Sequence, residues 1–421
     1  MPQRDPAAAN RAPLDWLNFL LADVKDGIGP FLAVYLTSAQ HWDAGRAGLA
    51  LTVGGLATVL ARAPAGALVD AVRAKRLVIG LAAVLVAAAA VVMAAWPRFW
   101  PVLAGQAANG LADAVFPAAV AAISLGIVGR NRFTARVGRN EAFNHAGNVA
   151  TAVAAGLAGS VIAPDAVLWI VAALAVTTLP PLMMLRGGDI DHTTARGGDD
   201  GAPGRHGPEG VQELLGDRAL LGFVAAITLF HFANAAMLPL LGEKLARGHH
   251  GLGAMFIAAS IVTAQAAMVP MAILVGQRAD RWGRKRIFLV GFAVLPIRGV
   301  LYTLVHDPVA LVAIQLLDGV GAGIFGALFF IVVADLTEGT GRYNLAQGFA
   351  AASWGLGAAA SNAVAGLIVD RLGYNAAFLF LAACAGAALL LFWRVVPETR
   401  GWAHRSVAAA AGGQPAPLTA H

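Results

Sequence analysis

Charged residues are scarce in this sequence of 421 residues, and that scarcity excludes most soluble folds. Asp, Glu, Lys and Arg make up 13% of the chain, against roughly 25% in an average soluble domain. Cysteine is nearly absent: with Cys384 alone, no internal disulfide can form, and the redox compartment is not indicated. The N-terminal stretch MPQRDPAAANRAP also lacks the pattern of a cleavable signal peptide.

Catalytic motifs are missing as well. The chain has no H-E-x-x-H or G-x-S-x-G motif, and no glycine-aspartate protease pair surrounds Asp318. It also has no segment with the composition of a soluble output domain, which a membrane sensor would normally carry. We therefore expect neither an enzyme nor a cofactor, and a sensor remains only as the alternative from outside transport.

What the sequence has instead is apolar residues, which form 58% of the chain and give a mean hydropathy of +0.68. They occur in runs of about 20, the length that crosses roughly 30 Å of hydrocarbon as a helix. The runs do not alternate every second residue, as the strands of a membrane barrel would. The sequence predicts an all-α membrane protein with twelve transmembrane helices, near residues 14–36, 47–70, 77–96, 101–129, 141–163, 166–186, 218–241, 252–277, 287–306, 308–335, 345–369 and 375–396.

A polar, glycine-rich segment separates two groups of six spans. Residues 187–216 include GGDIDHTTARGGDDGAPGRHGPEG, a composition that can bury little apolar surface and so predicts a flexible linker. His192 and His206 in this segment are interpreted as solvated residues, and we expect no metal site. The predicted organisation is a tail at 1–13, a bundle at 14–186, the linker at 187–216, a bundle at 217–397 and a tail at 398–421.

The loops alternate between rich and poor in basic residues, and this asymmetry predicts orientation. Basic loops face the cytoplasm, so both termini are expected there, in a bacterial inner membrane. The formal charge of +6 is thereby explained by topology and does not indicate nucleic-acid binding. The basic residues of the three rich loops are Arg73, Lys75, Arg76, Arg130, Arg132, Arg136, Arg139, Arg278, Arg281, Arg284, Lys285 and Arg286.

The two groups of spans repeat each other in sequence. GALVDAVRAKR begins at Gly66 and GQRADRWGRKR at Gly276, an offset of 210 residues. The same offset relates further pairs at equivalent places, Arg132-Phe133 with Arg342-Tyr343, Gly138 with Gly348, and Gly147 with Gly357. Two homologous halves in parallel orientation place a solute site at their interface near the membrane midplane. A monomer with two such halves is expected.

The second of these repeated loops resembles the loop motif of the major facilitator superfamily. It reads G-x-x-x-D-R-x-G-R-K-R and contains the motif residues Gly276, Asp280, Arg281, Gly283 and Arg284. The resemblance implies two pseudo-symmetric six-helix bundles that transport a small solute by alternating access, with the loop stabilising one face of the cycle.

The first copy of the motif is degenerate. Gly66 and Asp70 persist, but Ala71 and Arg73 replace the expected arginine and glycine. A glycine at a helix end permits close helix packing, and an aspartate can accept hydrogen bonds from the amides of a helix N-terminus. Gly66 and Asp70 are predicted to belong to the conformational-switch motif with the second copy. The alternative is a loop that only fixes topology, and the degeneracy of the first copy gives this alternative more weight for Asp70.

Ionisable residues inside spans are expensive and are functional candidates by default. The first span contains Asp23 and Asp26, three residues apart and near the predicted midplane, followed by a break at Gly27. A carboxylate at that depth can bind and release a proton, so both are predicted to carry proton coupling. The alternative is that either one neutralises Lys25 in a structural pair; Asp113 of the fourth span is another candidate partner for Lys25.

Further polar residues form stripes on other spans and are predicted to contact solute. Glu141 heads the stripe of the fifth span, with the alternative that it only marks an interfacial start. Arg298 and Asp318 lie at matching depths in the ninth and tenth spans and are predicted to form a structural ion pair. The predicted solute contacts are Asn18, Lys25, Gln106, Asn109, Asp113, Asn144, His145, Asn148, His231, Asn234, Gln265 and Trp354.

Together these features predict a secondary transporter of a small organic solute, coupled to protons. Export by antiport is favoured over uptake by symport or uniport. The expected partners are the solute, protons and the lipid bilayer. The identity of the solute does not follow from the sequence.

Overall fold

The computed structural model describes residues 5–26, 32, 35–36, 40–42, 44–161, 165–198, 216–248 and 253–401, and every regular element in them is helical. A short helix, Pro6–Ala9, precedes the long ones. We number the long helices as twelve, counting closely spaced segments as one. They are α1 (Arg11–Asp26), α2 (Ala44–Ala71), α3 (Lys75–Ala95), α4 (Phe99–Asp113 and Phe116–Val128), α5 (Arg130–Val161), α6 (Ala166–Thr177 and Leu179–Met184), α7 (Arg218–Ala235 and Met237–Gly248), α8 (Gly253–Trp282), α9 (Arg284–Leu304), α10 (Pro308–Ala313 and Gln315–Leu336), α11 (Tyr343–Leu372) and α12 (Tyr374–Val395).

Ten of these helices are long and apolar enough to cross a membrane, counting only the described residues. The other two, α1 and α5, occupy the positions predicted for the first and fifth spans. Helix α5 begins at Arg130, well before the predicted start at 141, because charged residues such as Arg and Glu are good helix formers and extend the helix beyond its apolar part.

Breaks within the helices shape the interior. Helix α4 is interrupted after Asp113, and Pro117 lies in the first turn of its second segment, where a missing N–H is tolerated. Helix α10 is likewise broken at Ile314. The break in α4 matters most, because the residues around it line the central cavity described below.

The two halves approach each other closely along two helix pairs, α2 with α11 and α5 with α8. A Cβ built on Gly138 of α5 would lie 2.5 Å from the Cα of Gly276 in α8. A Cβ on Gly66 of α2 would overlap the carbonyl oxygen of Asn344 in α11. Only glycine permits backbones to meet at such distances. These contacts lie on the side that carries the three basic loops, which we call the basic face.

Both motif aspartates bind the first two turns of a helix in the opposite half. Asp70 accepts hydrogen bonds from the backbone N–H of Leu345 (2.9 Å) and from the side chain of Asn344 (2.6 Å) at the start of α11. Asp280 accepts a hydrogen bond from the hydroxyl of Thr134 in α5 (2.9 Å). Thr134 and Asn344 are equivalent positions, because they are separated by the offset of 210. The degenerate copy therefore makes the more complete cap, and Asp70, predicted as part of the conformational-switch motif, contacts the opposite half directly.

The start of α9 is held by the C-terminal segment. Gly283 precedes the helix with φ of +88°, a conformation that favours glycine. The carboxylate of Glu398 accepts hydrogen bonds from the backbone N–H groups of Arg284 (2.9 Å) and Lys285 (3.2 Å). The predicted tail from 398 is therefore packed at its beginning, where the buried Thr399 also donates to Asp335 (2.9 Å).

The first part of the predicted linker is folded. Residues 187–198 form two short 3₁₀ turns in which Ile190 and Ala195 are buried. The backbone N–H of Asp191 donates to the carbonyl of Gly126 (3.0 Å), and Asn344 of the second half donates to the carbonyl of Ala195 (3.2 Å). The expectation that this segment buries no apolar surface is wrong for residues 187–198, because both halves cover it. Residues 199–215, with His206, lie outside the described part.

The carboxylate of Asp191 stabilises the second of these turns. It accepts hydrogen bonds from the backbone N–H groups of Thr193 (2.8 Å) and Thr194 (3.1 Å). Burial alone raises the pKa of this carboxyl, but the hydrogen bonds from Thr194 and Thr193 outweigh it and hold the pKa below its ordinary value. The turn is thus held in place by an ionised group at neutral pH.

Candidate functional site

A central cavity of about 210 Å³ lies between the two halves. Helices α2, α4 and α5 of the first half and α10 and α11 of the second half form its walls. Three of its residues are ionisable, and its apolar wall is aromatic. The lining residues used below are Arg62, Asp113, Pro117, Glu141, Phe325, Phe329, Phe330, Gln347 and Trp354.

Arg62 and Trp354 form one wall across the interface. The Arg62 guanidinium lies over the Trp354 ring, 4.5 Å from its centroid, and donates to the carbonyl of Ala351 (2.8 Å). His231 of α7 stacks on Trp354 at 4.3 Å between centroids and meets the edge of Phe325 at 4.4 Å. Cation–π and stacking geometry of this kind gives the wall a cationic, flat surface.

Two unsatisfied polar groups sit in the second-half wall. The indole Nε1–H of Trp354 and the Oε1 of Gln347 are buried and have no hydrogen-bond partner among the described residues. Buried polar groups are normally paired, so an unpaired donor and an unpaired acceptor beside a cavity are suited to binding a solute.

Glu141 connects the central cavity with a smaller one of about 40 Å³. The smaller cavity is lined mostly by the first half, including Asn18 and Asn144, and by Phe330 of the second half. Glu141 lies eleven residues inside α5, so it does not mark the start of that helix, and it lines both cavities. Asp113 lines the central cavity, as predicted for a solute contact.

His145 joins the two halves at this level. Its Nδ1 lies 2.9 Å from the Oε1 of Gln265 in α8, and its Nε2 lies 3.9 Å from the Oε2 of Glu141, one turn earlier. Because an amide oxygen can only accept, Nδ1 carries the proton of this hydrogen bond. The structure thus brings His145 and Gln265, predicted separately as solute contacts, into direct contact.

The basic-face end of the first half contains a buried polar cluster that sequence reasoning did not identify. Asp15 accepts hydrogen bonds from Arg136 (2.6 Å) and Arg139 (2.8 Å). Arg136 also donates to Asn140 (2.7 Å), and Asn18 donates to the same amide oxygen (3.0 Å). Asn18 is therefore tied to this cluster as well as to the smaller cavity.

Other predicted contacts lie away from the central cavity. Gln106 is buried between helices, with its Nε2 3.6 Å from the Sδ of Met93, and it lines neither cavity described above. The predicted pair of Arg298 with Asp318 is present, and Asn234 accepts a hydrogen bond from the same guanidinium. Asn234 therefore belongs to an ionic cluster within the second half, built around the buried Arg298 guanidinium.

Some predicted residues cannot be placed in the site. The backbone of α1 includes Asp23, Lys25 and Asp26, but their side chains lie outside the described residues. The Oδ1 atoms of Asn109 and Asn148 are buried and accept no hydrogen bond from the part of the chain that is described. That same part contains no group of His, Cys, Asp and Glu residues able to hold a metal.

Arg62 is the main residue that sequence reasoning missed. It lies within the second apolar run, where a charge is costly and hence a functional candidate. A charge inside an apolar run was therefore enough to identify Arg62 as a candidate from the sequence. Gln347 and the three phenylalanines of α10 carried none, because glutamine near a helix end and phenylalanine in an apolar run are ordinary.

Comparison with known proteins gives a consistent picture. A model of the Major Facilitator Superfamily matches residues 16–295 and 224–420. An uncharacterized MFS-type transporter of Mycobacterium tuberculosis strain H37Rv is 50% identical over 388 residues, which are 92% of this chain and 93% of that protein. Its counterpart from strain CDC 1551 / Oshkosh matches to the same extent.

Solved structures show the same fold at low sequence identity. The crystal structure of FucP in the outward conformation superposes with a TM-score of 0.75 at 15% identity, covering 94% of this chain and all of that one (100%). The human organic anion transporter MFSD10 gives a TM-score of 0.68 at 16% identity, covering 93% and 100%. The nucleoside transporter NupG gives 0.64 at 15% identity, covering 92% and 100%.

Proposed function

Because the chain belongs to the major facilitator superfamily, we propose that it is a secondary transporter that carries a small organic solute through the central cavity. The observation that supports this proposal is that residues of both halves line one cavity. Movement of one half against the other then changes the access to a single site, as alternating access requires. Its M. tuberculosis relatives are named as transporters and not as enzymes.

The cavity limits the size of the solute. Its volume of about 210 Å³ lies below the roughly 300–1,000 Å³ of sites for drug-sized ligands. A metabolite-sized solute fits such a space, and the aromatic wall with Arg62 favours one with a flat or apolar part and a polar group. Gln347 and the Trp354 indole would supply an acceptor and a donor.

Transport is proposed to be coupled to protons, with antiport out of the cell favoured over uptake by symport or uniport. Asp113 and Glu141 are carboxylates facing the cavity, and Asp23 and Asp26 remain the coupling candidates of α1. Acidic groups at this depth are costly and persist where they bind ions or solute. The basic face is proposed to be cytoplasmic, since basic loops are retained there. The alternative of symport has a precedent in this fold, the solved structure of the fucose:proton symporter FucP of E. coli.

Proteoliposomes containing a pH-sensitive dye test this proposal. The protein is exposed to a panel of small cationic, neutral and anionic solutes, alongside Trp354→Phe, Asp23→Asn and Asp26→Asn. We expect solute-dependent flux that Trp354→Phe reduces severalfold, with a pH change whose sign separates antiport from symport. The matched controls are Trp100→Phe, an exposed tryptophan, and Asp307→Asn, since Asn caps a helix as well as Asp.

The outcomes separate transport from coupling. Flux that Trp354→Phe leaves unchanged would show that the solute does not pass the central cavity. Flux without any pH change, unaltered in Asp23→Asn and Asp26→Asn, would contradict proton coupling and indicate a uniporter or another ion.

A further inference from the structure

We propose that Glu141 and His145 form one proton-binding site in α5, and that its occupancy controls the contact between α5 and α8 at the basic face. This inference rests on the proposed function and specifies where a coupling proton acts. It differs from the sequence-based expectation, which placed proton binding in α1.

The pair lies where a proton can reach it from either cavity. Glu141 and His145 are one helical turn apart, with side chains only 15% and 10% exposed, and Glu141 borders both cavities. A proton entering either cavity therefore reaches a carboxylate that lies 3.9 Å from an imidazole nitrogen. At that distance the two groups are not hydrogen-bonded, but they interact electrostatically.

The hydrogen bonding of His145 determines where the pair can take up a proton. A neutral imidazole has one donor and one acceptor nitrogen, and Nδ1 already donates to Gln265. An added proton therefore binds at Nε2 of His145, on the side that faces the Glu141 carboxylate, and gives the imidazole a positive charge. In the protonated pair, the imidazolium can donate to Glu141 on one side and to Gln265 on the other.

The contact with Gln265 links the pair to the movement of the two halves. Gln265 belongs to the second half, so the hydrogen bond from His145 must break if α5 and α8 separate. The same two helices meet backbone to backbone at Gly138 and Gly276, nearer the basic face. A donor with a positive charge makes a stronger hydrogen bond than a neutral one, so protonation stabilises the closed contact.

The second close contact between the halves, α2 with α11, has no titratable pair at the corresponding level. By the offset of 210, Glu141 corresponds to Ala351 and His145 to Gly355 in α11. A Cβ on Gly355 would lie 3.1 Å from the Arg62 guanidinium that faces it from α2. Arginine keeps its charge in proteins, so at this level α2 faces α11 with a charge that does not titrate, while α5 faces α8 with a histidine that does. The titratable Asp70 of the α2–α11 contact lies elsewhere, at the start of α11 on the basic face.

Other charged groups face the pair from the surrounding helices. Arg62 of α2 and Asp113 of α4 line the central cavity with Glu141, as do the uncharged Phe330 of α10 and Gln347 of α11. From α8, the uncharged Gln265 contacts His145. The side chains at 23, 25 and 26 of α1 lie outside the described residues. Any test must therefore separate the α5 pair from the other carboxylates.

The test measures conformation without requiring a known solute. Spin labels on Arg73→Cys and Arg286→Cys, exposed in the basic loops of the two halves, report the separation of that face in a Cys384→Ala background. Distances are recorded in nanodiscs between about pH 5 and pH 8, the range over which histidine titrates. We expect the ratio of closed to open populations to fall about fivefold or more as the pH rises, the lower end of typical coupling.

Glu141→Gln and His145→Gln should each abolish this pH response, while His306→Gln, at an exposed histidine, should retain it. A pH response that persists in both α5 variants would overturn the inference, and so would a wild-type protein whose distances do not change with pH. If proteoliposomes show solute flux while the distances ignore pH, only this inference fails. If no solute is moved but the pH response follows the α5 pair, the proposed transport function fails instead.

Discussion

Single residues in this protein differ in how their charge is accommodated, and the ionic cluster of the second half is the clearest case. Arg298 is 1% exposed and contacts Asp318, Asn234 and the Sδ of Met237. All three partners lie away from the central cavity, on α7 and α10. A buried charge with this many partners fixes the packing of three helices, which favours the structural role predicted for the pair.

We expect Asp318→Asn to destabilise the protein by about 3–5 kcal/mol, because it leaves the Arg298 guanidinium buried without a counterion. The double variant Arg298→Met/Asp318→Leu should recover most of that loss, since apolar residues of similar volume replace such pairs well. Thermal unfolding in detergent measures both. A double variant as unstable as Asp318→Asn would contradict a purely structural role, and unaltered solute flux in the double variant would support it.

At the scale of helices, glycines set how closely the two halves can meet. Gly66 of α2 contacts the first turn of α11, and its counterpart Gly276 in α8 contacts Gly138 of α5. Asp70 and Asp280, four residues later in each loop, bind the start of the same partner helix. Close packing and capping therefore act together at each of the two contacts.

We expect Gly66→Ala to weaken the contact between α2 and α11, because the added methyl overlaps the Asn344 carbonyl. Overpacking of this kind typically costs about 1–3 kcal/mol. Spin-label distances across the basic face should lengthen, and the amides of the first turn of α11 should exchange faster. Gly55→Ala is the matched control, since a Cβ there meets nothing within 4 Å in the same helix. Equal behaviour of the two variants would exclude a role for close packing at Gly66.

At the scale of the whole molecule, the basic face is closed by contacts from many parts of the chain. The motif aspartates are not its only contacts. The Nε of Arg130 lies 3.3 Å from the Oε1 of Glu338 in the second half, and its Nη2 donates to the carbonyl of Gly197 in the folded linker turn (2.9 Å). Gly339 donates to the same carbonyl (2.8 Å). All of these must break together if this face is to open, so opening is expected to be cooperative.

A disulfide across this face should therefore stop transport reversibly. The Thr134 hydroxyl and the Asp280 carboxylate are 2.9 Å apart, so cysteines at these two positions face each other across the contact and are our choice for an oxidative cross-link in a Cys384→Ala background. We expect oxidation to reduce solute flux to that of protein-free vesicles and a reductant to restore it. The reduced form of the same variant is the control. Continued flux in the cross-linked form would contradict alternating access through this face.

Much of the fold could be predicted from the sequence, because each apolar run responds to the lipid by itself. The runs, the basic loops and the repeated segments beginning at Gly66 and Gly276 are local features, and they were sufficient for the helices, the two halves and the family. Boundaries were less certain where charged residues extend a helix, as in α5. The burial of Ile190 and Ala195 was not predictable, since their composition is that of a solvated linker.

The candidate site was decided by the tertiary structure. Which polar residues face one cavity depends on the rotation of each helix and on residues distant in sequence. For this reason Gln106 and Asn234, predicted as solute contacts, lie outside the central cavity, whereas Arg62 and Glu141 line it. The sequence by itself determined that this is a membrane transporter with two similar halves, because hydrophobicity and repetition are written along the chain. Only the tertiary structure decided that Glu141 and His145 lie at the contact of α5 with α8 and that Arg62 lies at the contact of α2 with α11, because residues distant in sequence form both contacts.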